Sequence, residues 1–483
     1  MARFAGAEAF QGSSSELQLL PFRFERLGAE QYLVSNLVGD FVRLSRTEME
    51  RLTELRIEPT DELYKKAYGA HLIAQKGRLG QYQLLAMRLR SRMAFLREGT
   101  ALHIFVVTLR CEHSCPYCQV SRQSADKSRY DMSDEIAHRA LQIALQSPAP
   151  ALKIEFQGGE PLLNFPLIRR IVRKAKAESG RKRLDFVAAS NLALLSDDIL
   201  AFCKEEGVQV STSLDGPAEL HNRNRPRPGG NSHALAVAGI KRAQEVLGAD
   251  RVGALMTTTH GSLQCVERIV DEYLALNLDG IFLRPLSPYG FAIKTKLFGR
   301  YDMKRWMEFY TRGLRYILEV NRSGRPFVEF YARLLLQRML SDKPTGYVDL
   351  RSPAGVGLGA LVYNYDGRVF ASDEGRMLAE TGDTTFELGH VDNATYSSLI
   401  LSDTLVDFVA KSMTQCAPEC HECVFEPHCG ADPVYHHATQ SDAVGIKPLS
   451  DFCARQKGIM RLLLDILDQG GEDASILRRW GGI

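Results

Sequence analysis

The chain has 483 residues and a formal net charge of +2, enough to bury a sizeable core over two to four domains of roughly 150 residues each. Balanced charge argues against nucleic acid or an anionic membrane surface as partner, and no apolar run approaches the ~20 residues that span a bilayer. The N-terminus lacks the apolar core of a secretory signal, and eight of the ten cysteines fall in two local groups; both predict a cytoplasmic protein with metal chemistry rather than disulfides. The basic runs Arg88, Arg90, Arg92 and Arg169, Arg170, Arg173, Lys174 read as solvated faces, either of which could receive an acidic peptide.

Residues 1 to about 16 are small and polar and read as disordered. Tyr32–Asn36 and Phe41–Leu44 read as strands around a turn at Gly39-Asp40. Ser45-Arg-Thr-Glu48 is a capping-box start for the helix that follows. Two strands and then helices predict a small winged-helix-like module within residues 1–98, or a generic α+β cap on the larger domain.

From about residue 99 to 330 strands and helices alternate. The strand candidates are His103–Leu109, Lys153–Phe156, Leu184–Ala188, Val208–Ser213, Val252–Thr257 and Gly280–Leu283. Helices are expected over Ser133–Gln146, Pro166–Ser179, Ser196–Glu206, His233–Leu247 and Gln264–Leu276, with Ser133 and Ser196 as N-caps ahead of acidic pairs. Six such units predict a parallel sheet with right-handed crossovers, a partial (β/α)6 barrel. Ligands of such sheets bind at the carboxyl ends of the strands. Residues 331–483 are rich in Gly, Pro and His, with Cys416, Cys420, Cys423, Cys429 and Cys453; metal ligation would organise so loop-rich a segment. Cys203 and Cys265 lie in helix-like segments and read as small apolar residues.

The motifs fall at the strand ends. Cys111-Glu-His-Ser-Cys115-Pro-Tyr-Cys118 follows the first strand. Three thiolates in one loop point to iron–sulfur chemistry, in which one iron of a four-iron cluster is left without a protein ligand. A zinc knuckle is the alternative, with His113 as the extra ligand. Gln157-Gly-Gly-Glu-Pro161 ends the second strand; Gly158 and Gly159 allow close backbone approach, and Glu160 offers a carboxylate to an ammonium. Ser190-Asn191 ends the third strand. Ser211-Thr-Ser213-Leu-Asp215-Gly-Pro217 ends the fourth and leads to His221-Asn222-x-x-Arg225, where hydroxyls and a guanidinium suit a ribose and a carboxylate.

The spacing C-x3-C-x2-C followed by the Gly-Gly-Glu run resembles the radical S-adenosylmethionine (radical SAM) enzymes. The resemblance implies a [4Fe-4S] cluster on Cys111, Cys115 and Cys118 whose open iron chelates S-adenosylmethionine (SAM) and cleaves it to a 5′-deoxyadenosyl radical. It implies SAM contacts from Tyr117, Gly158, Gly159, Glu160, Asn191, Ser213, Arg225 and Arg284, although Tyr117 could equally be loop packing and Arg284 a structural ion pair. The Ser-x-Asp-Gly-Pro stretch is similar to that of anaerobic sulfatase-maturing enzymes, with Asn222 where that group has Asp. Cys420-x2-Cys423-x5-Cys429 with Cys453 resembles the cysteine-rich SPASM extension. Pro433, Ser372 and Ser352 stand where a second auxiliary cluster would need Cys. One auxiliary [4Fe-4S] cluster, on Cys420, Cys423, Cys429 and Cys453, is therefore expected. Zinc fits that set by ligand count, and Cys416 is surplus. Asp373 occupies the place of the sulfatase-maturase general base, or is a turn aspartate.

Leu20-Pro-Phe-Arg-Phe24, Thr108–Arg122, Phe282–Ser287 and Cys429–His436 narrow the resemblance to the B-type radical SAM maturases of the His-Xaa-Ser system. This implies a ribosomally made precursor peptide as substrate, with the N-terminal module capturing its leader by strand addition. It also implies an electron donor such as flavodoxin or ferredoxin, and leaves open a partner maturase. The readings set against this are a maturase of folded proteins and a non-catalytic iron–sulfur or zinc scaffold.

Overall fold

The computed structural model describes residues 17–341 and 345–483; the polar tail before residue 17 lies outside the described residues. The N-terminal part holds β1 (Leu17–Leu19), β2 (Phe22–Arg26), β3 (Gln31–Asn36), β4 (Phe41–Ser45) and β5 (Ile73–Gln75). β2–β3–β4 form an antiparallel sheet, and β1 pairs with β5. The capping box is present: Ser45 Oγ accepts from the Glu48 amide, and Glu48 Oε2 accepts from the Ser45 amide at 2.8 Å. Residues on alternate faces of the sheet divide between two cores, as a pleated strand requires. Val34 and Leu44 pack on Met49, Leu52 and Leu63 of the module's own helices, whereas Leu33 joins the large core formed by later parts of the chain.

The main sheet runs β10 (Val252–Leu255), β9 (Val208–Ser213), β8 (Arg183–Ser190), β7 (Ala151–Gly158), β6 (Leu102–Thr108), then β13 (Ala360–Tyr363), β14 (Arg368–Phe370) and β15 (Glu387–His390). The first six in that order are mutually parallel; β14 and β15 are antiparallel. The α/β fold and its parallel sheet are those the alternating pattern predicts. The intervening helices, Asp134–Leu145, Phe165–Glu178, Asp197–Glu206, Ser232–Leu247 and Val266–Ala275, stand within two residues of their expected bounds.

One strand differs. Gly280–Leu283 shortens to β11 (Gly280–Ile281), which pairs with β12 (Val328–Glu329) outside the main sheet. Gly280 permits this, because a Cβ there would lie 2.4 Å from the Val328 carbonyl oxygen. Pro285, with no amide hydrogen, cannot extend a ladder. The segment still touches the barrel edge through one hydrogen bond, from the Thr258 amide to the Arg284 carbonyl at 2.9 Å. The sixth parallel place is taken by β13, whose four residues are all buried. A strand buried on both faces shows no alternation, so nothing in Ala360–Tyr363 announced it.

The N-terminal sheet docks on the cysteine-rich segment. Arg23 pairs with Glu426 at 3.1 Å, their side chains 8% and 2% exposed, and Arg23 Nε donates to the His421 carbonyl at 2.6 Å. Ser35 Oγ donates to the Val424 carbonyl at 2.8 Å. Removing one partner of a buried pair strands the other charge, at a cost of about 3–5 kcal/mol. Arg23→Ala is therefore expected to lower the urea midpoint sharply. Arg23→Met with Glu426→Leu, which removes both charges, should recover most of the loss; equal midpoints for Arg23→Ala and the wild type would show that the pair does not hold the two parts together.

Candidate active site

The cysteine loop leaves β6 at the carboxyl edge of the sheet and is pinned from three sides. The Ser114 amide donates to the Pro226 carbonyl at 2.7 Å, the Phe291 amide to the Cys118 carbonyl at 2.8 Å, and Thr295 Oγ1 to the Pro116 carbonyl at 2.9 Å. Gly290 makes the second contact possible: its φ is +58°, and a Cβ would lie 2.6 Å from the Cys118 carbonyl oxygen. Burial pushes the Cys115 thiol up to about 12, with Cys118 adding to the shift and Arg225 opposing it; burial also raises Cys111, to which Cys115 contributes. Cys115 thus feels Cys118 and acts on Cys111, so the three sulfurs are neighbours, and a metal bound among them would take thiolates. Cys111, Glu112 and His113 offer ligand atoms within 4.8 Å of one another. The ring nitrogens of His113 are engaged, Nε2 with Ser232 Oγ at 2.9 Å and Nδ1 with Glu112 Oε1 at 3.1 Å. That leaves the three thiolates, a donor set that suits a four-iron cluster with one open iron.

The two glycines of Gly158-Gly159-Glu160 bring β7 against the cysteine loop. A Cβ on Gly158 would sit 2.2 Å from the Thr108 carbonyl oxygen, and one on Gly159 2.3 Å from that of Arg110. The backbone they approach is the chain's own: the Gly159 and Glu160 amides donate to Thr108 and Arg110 at 2.8 and 2.7 Å. This delivers Glu160 to the pocket floor, fully buried, where it accepts from Ser190 Oγ (2.7 Å), the Asn191 amide (2.8 Å) and the Leu162 amide (3.0 Å). Burial, then the nearby Glu112, pushes Glu160 up to about 7. Asn191 Nδ2 donates to Glu112 Oε1 at 2.8 Å, while Glu112 Oε2 is buried without a partner. Two adjoining carboxylates with an unfilled acceptor suit an ammonium, the group that the amino acid end of SAM presents.

Asp215, absent from the residues singled out for contact, is the hub of the next strand end. Fully buried, it accepts from Tyr117 Oη (2.5 Å), Asn224 Nδ2 (3.2 Å), Arg225 Nε (3.2 Å) and the Thr257 amide (3.3 Å). Burial works against the charge on Arg225, and Asp215 together with Tyr117 and Cys115 more than offsets it. The Arg225 guanidinium stacks over the Tyr117 ring at 5.4 Å. Ser213, half-buried at the end of β9, has no hydrogen-bond partner among the described residues.

Residues 105–272 match the family model described as the radical SAM superfamily. They form a radical SAM domain. Uncharacterized protein MJ0907 of Methanocaldococcus jannaschii is 29% identical over 193 residues, 40% of this chain and 64% of its own length. The radical SAM cyclopropyl synthase TigE of Paramaledivibacter caminithermalis is 28% identical over 129 residues, 24% of this chain and 27% of its own. The chain thus spans less than two-thirds of the length of either relative. In fold it is similar to native anSMEcpe with bound AdoMet and Kp18Cys peptide (TM-score 0.62, 17% identity, 79% of this chain and all of that one). It is also similar to Streptococcus suis SuiB bound to the precursor peptide SuiA (TM-score 0.52, 14% identity, 91% and 100%). The chain thus carries a radical SAM domain, and its overall fold is similar to those of these two structures.

Beyond the radical SAM domain, Cys420, Cys423, Cys429 and Cys453 line one cavity of about 340 Å³. Burial raises Cys429, and Cys423, Cys453 and Cys420 each add to it, so these sulfurs too are mutual neighbours and fit one four-thiolate cluster. The positions that would serve a second cluster have other work. Ser372 Oγ caps the helix Asp373–Ala379, Ser352 Oγ bonds Gln415 Oε1 at 2.8 Å, and Pro433 opens a helix. Cys416 is exposed.

A larger cavity, about 440 Å³, lies between the radical SAM domain and the C-terminal part, and Arg284 lines it with Leu286, Tyr289, Asp349, Glu374 and Asp432. Leu286 also packs on Tyr117, so the cavity adjoins the cysteine loop. Asp373 does not reach it: its Oδ1 accepts from the fully buried Arg376 at 2.8 Å, and the next residue, Glu374, takes the place in the wall.

Two outcomes test this geometry. Asp215→Asn removes the charge that holds Arg225 and should weaken SAM binding by about 10- to 100-fold, the scale of a charged hydrogen bond; unchanged affinity would detach Asp215 from the site. For Glu160, the carboxylate is the form that receives an ammonium, so SAM affinity should rise as pH climbs through about 7 and fall as an α-amino group deprotonates near ~8. Glu160→Gln should flatten the lower limb of that profile.

Proposed function

We propose that the protein modifies a ribosomally synthesised precursor peptide of the His-Xaa-Ser kind, by hydrogen abstraction followed by cross-linking, cyclisation or a related change. The observation that carries this reading is the convergence of the three-cysteine loop, Glu160 and the Asp215–Arg225 pair at adjacent strand ends, beside a cavity large enough for a peptide side chain. When bound at Cys111, Cys115 and Cys118, a [4Fe-4S] cluster supplies the electron that cleaves SAM to methionine and a 5′-deoxyadenosyl radical.

The chain's own residues bind and aim. Glu160 and Glu112 receive the SAM ammonium, and Asn191 holds Glu112 in place. Arg225, fixed by Asp215, receives the carboxylate. Ser213 offers its hydroxyl to the ribose, and Tyr117, stacked under Arg225, closes the adenine side. Arg284 reaches into the adjoining cavity from the same edge. Asp373 serves either as the proton acceptor or, through its Arg376 pair, as the anchor of its helix turn. Cys420, Cys423, Cys429 and Cys453 carry one auxiliary cluster.

The module within residues 1–98 captures the leader, the region 99–330 is the radical SAM part, and 331–483 carries the auxiliary cluster. Support for leader capture is the unpaired outer edge of β2 among the described residues, where Phe24 is 55% exposed. A cytoplasmic flavodoxin or ferredoxin would supply electrons, and a second maturase would act on the same peptide.

The experiment is co-expression with a small precursor peptide carrying His-Xaa-Ser repeats, followed by mass spectrometry. The wild type should change the peptide's mass and carry about eight irons. Cys111→Ala, Cys115→Ala and Cys118→Ala together should abolish both 5′-deoxyadenosine and the mass change and leave about four irons. Undiminished 5′-deoxyadenosine in that variant, or an unmodified peptide with the active wild type, would overturn the proposal.

A further inference from the structure

The solvent-facing side of the cysteine loop has an uneven charge. Three stretches meet there. Residues 113–125 include most of the loop, residues 222–233 reach it through the Pro226 carbonyl, and residues 287–301 reach it through the Phe291 amide and Thr295 Oγ1. Together they hold seven Lys or Arg and no Asp or Glu, in a chain whose bases and acids are near balance, 60 against 58. Three of the seven are occupied elsewhere. Arg225 pairs with Asp215, Arg300 lines the cavity beside the loop, and Arg223 lies against Gly261.

The other four stand around the loop. Arg122 Nη2 donates to Ser114 Oγ at 3.0 Å, Arg227 follows the Pro226 that receives the Ser114 amide, and Lys294 and Lys296 flank the Thr295 that bonds the Pro116 carbonyl. Arg227 Nη1 also donates to Asn231 Oδ1 at 2.5 Å, and Lys294 Nζ lies 5.8 Å from the centre of the Phe291 ring. These partners are uncharged. None of the four is in an ion pair among the described residues, whereas bases on other surfaces are paired: Arg170 with Asp134, Arg312 with Glu267, Arg461 with Glu25. Lys294 and Lys296 are exposed, and beside them Ile293 is 48% exposed, an apolar contact within a polar rim. The C-terminal cysteines present no comparable face. Lys447 and Lys457 line their cavity together with Glu419, and Lys457 pairs with Glu25.

We infer that this face docks an acidic one-electron carrier protein, with Arg122, Arg227, Lys294 and Lys296 as the groups that meet its carboxylates. The inference rests on the reading of Cys111, Cys115 and Cys118 as an iron–sulfur site and adds where its electron enters. One electron leaves the reduced carrier and passes to that site; the carrier is left oxidised, and no bond forms or breaks. The rate of such a transfer falls steeply with distance. Within the loop 111–118, Ser114 is the exposed residue, and the cations are placed about it, so a partner seated here is brought against the loop itself. Unpaired cations on a rim steer an acidic partner and speed its encounter. A substrate side chain has a different destination, the cavity lined by Arg284 and Leu286.

The test uses the reconstituted protein and two one-electron donors: a reduced acidic flavodoxin, and photoreduced deazariboflavin, which is small and uncharged. Binding is read by the anisotropy of dye-labelled flavodoxin, and electron transfer by bleaching of the protein's visible absorbance. At low ionic strength, Lys294→Glu with Lys296→Glu should weaken flavodoxin binding and slow its electron transfer, each by about 10- to 100-fold, the scale of electrostatic steering. The salt dependence of both should flatten. Iron content and reduction by deazariboflavin should not change. Lys204→Glu with Lys241→Glu, the same change of net charge on exposed helix faces, should leave both donors unaffected. Flavodoxin binding and transfer unchanged in the first variant, an equal loss in the second, or an equal loss with deazariboflavin would overturn the inference. So would weakened binding of the precursor peptide with flavodoxin binding intact, which would make the occupant an acidic peptide. A wild type reduced by deazariboflavin and not by flavodoxin also overturns it, and one reduced by neither removes the iron–sulfur reading with it. A wild type that flavodoxin reduces but that modifies no peptide would count against the peptide-modifying reading alone and uphold the docking face.

Discussion

The buried carboxylate of Asp215 is the constraint on which the rest of the site depends. An ionised carboxylate with no solvent contact is tolerated only when its lone pairs are filled and a counter-charge is close. Here the donors come from four places: the cysteine loop, the helix Ala218–Asn224, the residue that ends it, and the strand end beyond β10. Satisfying one charge therefore ties three segments, the cysteine loop, Asn224-Arg225 and the strand end beyond β10, to the one that carries Asp215. Tyr117 cannot swing away without leaving an acceptor bare, and Arg225 cannot leave without stranding the charge itself.

Hydrogen-bond counting separates the acids that build this protein from those open to a ligand. Glu329, fully buried, accepts from the Leu283 amide, the Ala332 amide and Tyr310 Oη; it ties β12 to the segment after β11 and is a structural residue. Asp131 likewise receives both arms of Arg110 and the hydroxyl of Thr108. Glu112 keeps one buried oxygen unpartnered, and after burial the charges that act most on Glu374 are of its own sign. A chain folds with such groups only if burial elsewhere offsets the cost; Glu112 stands in the cysteine loop itself and Glu374 in the wall of the cavity beside it.

Much of this was legible in the residues. The alternation of β6–β10 with capped helices follows from period and caps, and Ser133 and Ser196 cap as their positions demand. The cysteine spacing and Gly158-Gly159-Glu160 predicted the strand ends that meet. What escaped the sequence was long-range. β13 has no alternation because it is buried on both faces, and it lies 258 residues from its neighbour, Leu102 pairing with Ala360. Asp215 was in view within Ser213-Leu-Asp215-Gly-Pro217, but only the fold reveals that Tyr117, 98 residues earlier, donates to it. At Asp373-Glu374 a motif points to the first carboxylate, whereas helix geometry sends it to Arg376 at i+3 and leaves the second in the cavity wall.

The two cysteine groups are held by different means, and this bears on what each metal site contributes. The first loop is fixed before any metal binds, through the Pro226, Cys118 and Pro116 carbonyls, the glycine approaches at Gly158, Gly159 and Gly290, and the chain of hydrogen bonds from His113 through Ser232 to His221. The second group draws three ligands from a stretch of turns and one from the first turn of the helix Asp451–Gln469. Its sulfurs line one cavity, and Cys423 and Cys429 also pack against the large core. Ligation there would join the turn-rich stretch to the C-terminal helices, and the metal's binding energy would become folding energy. The same stretch carries Glu426, the buried partner of Arg23. Ligation at these cysteines would thus order the same stretch that seats the N-terminal sheet through Arg23 and Ser35.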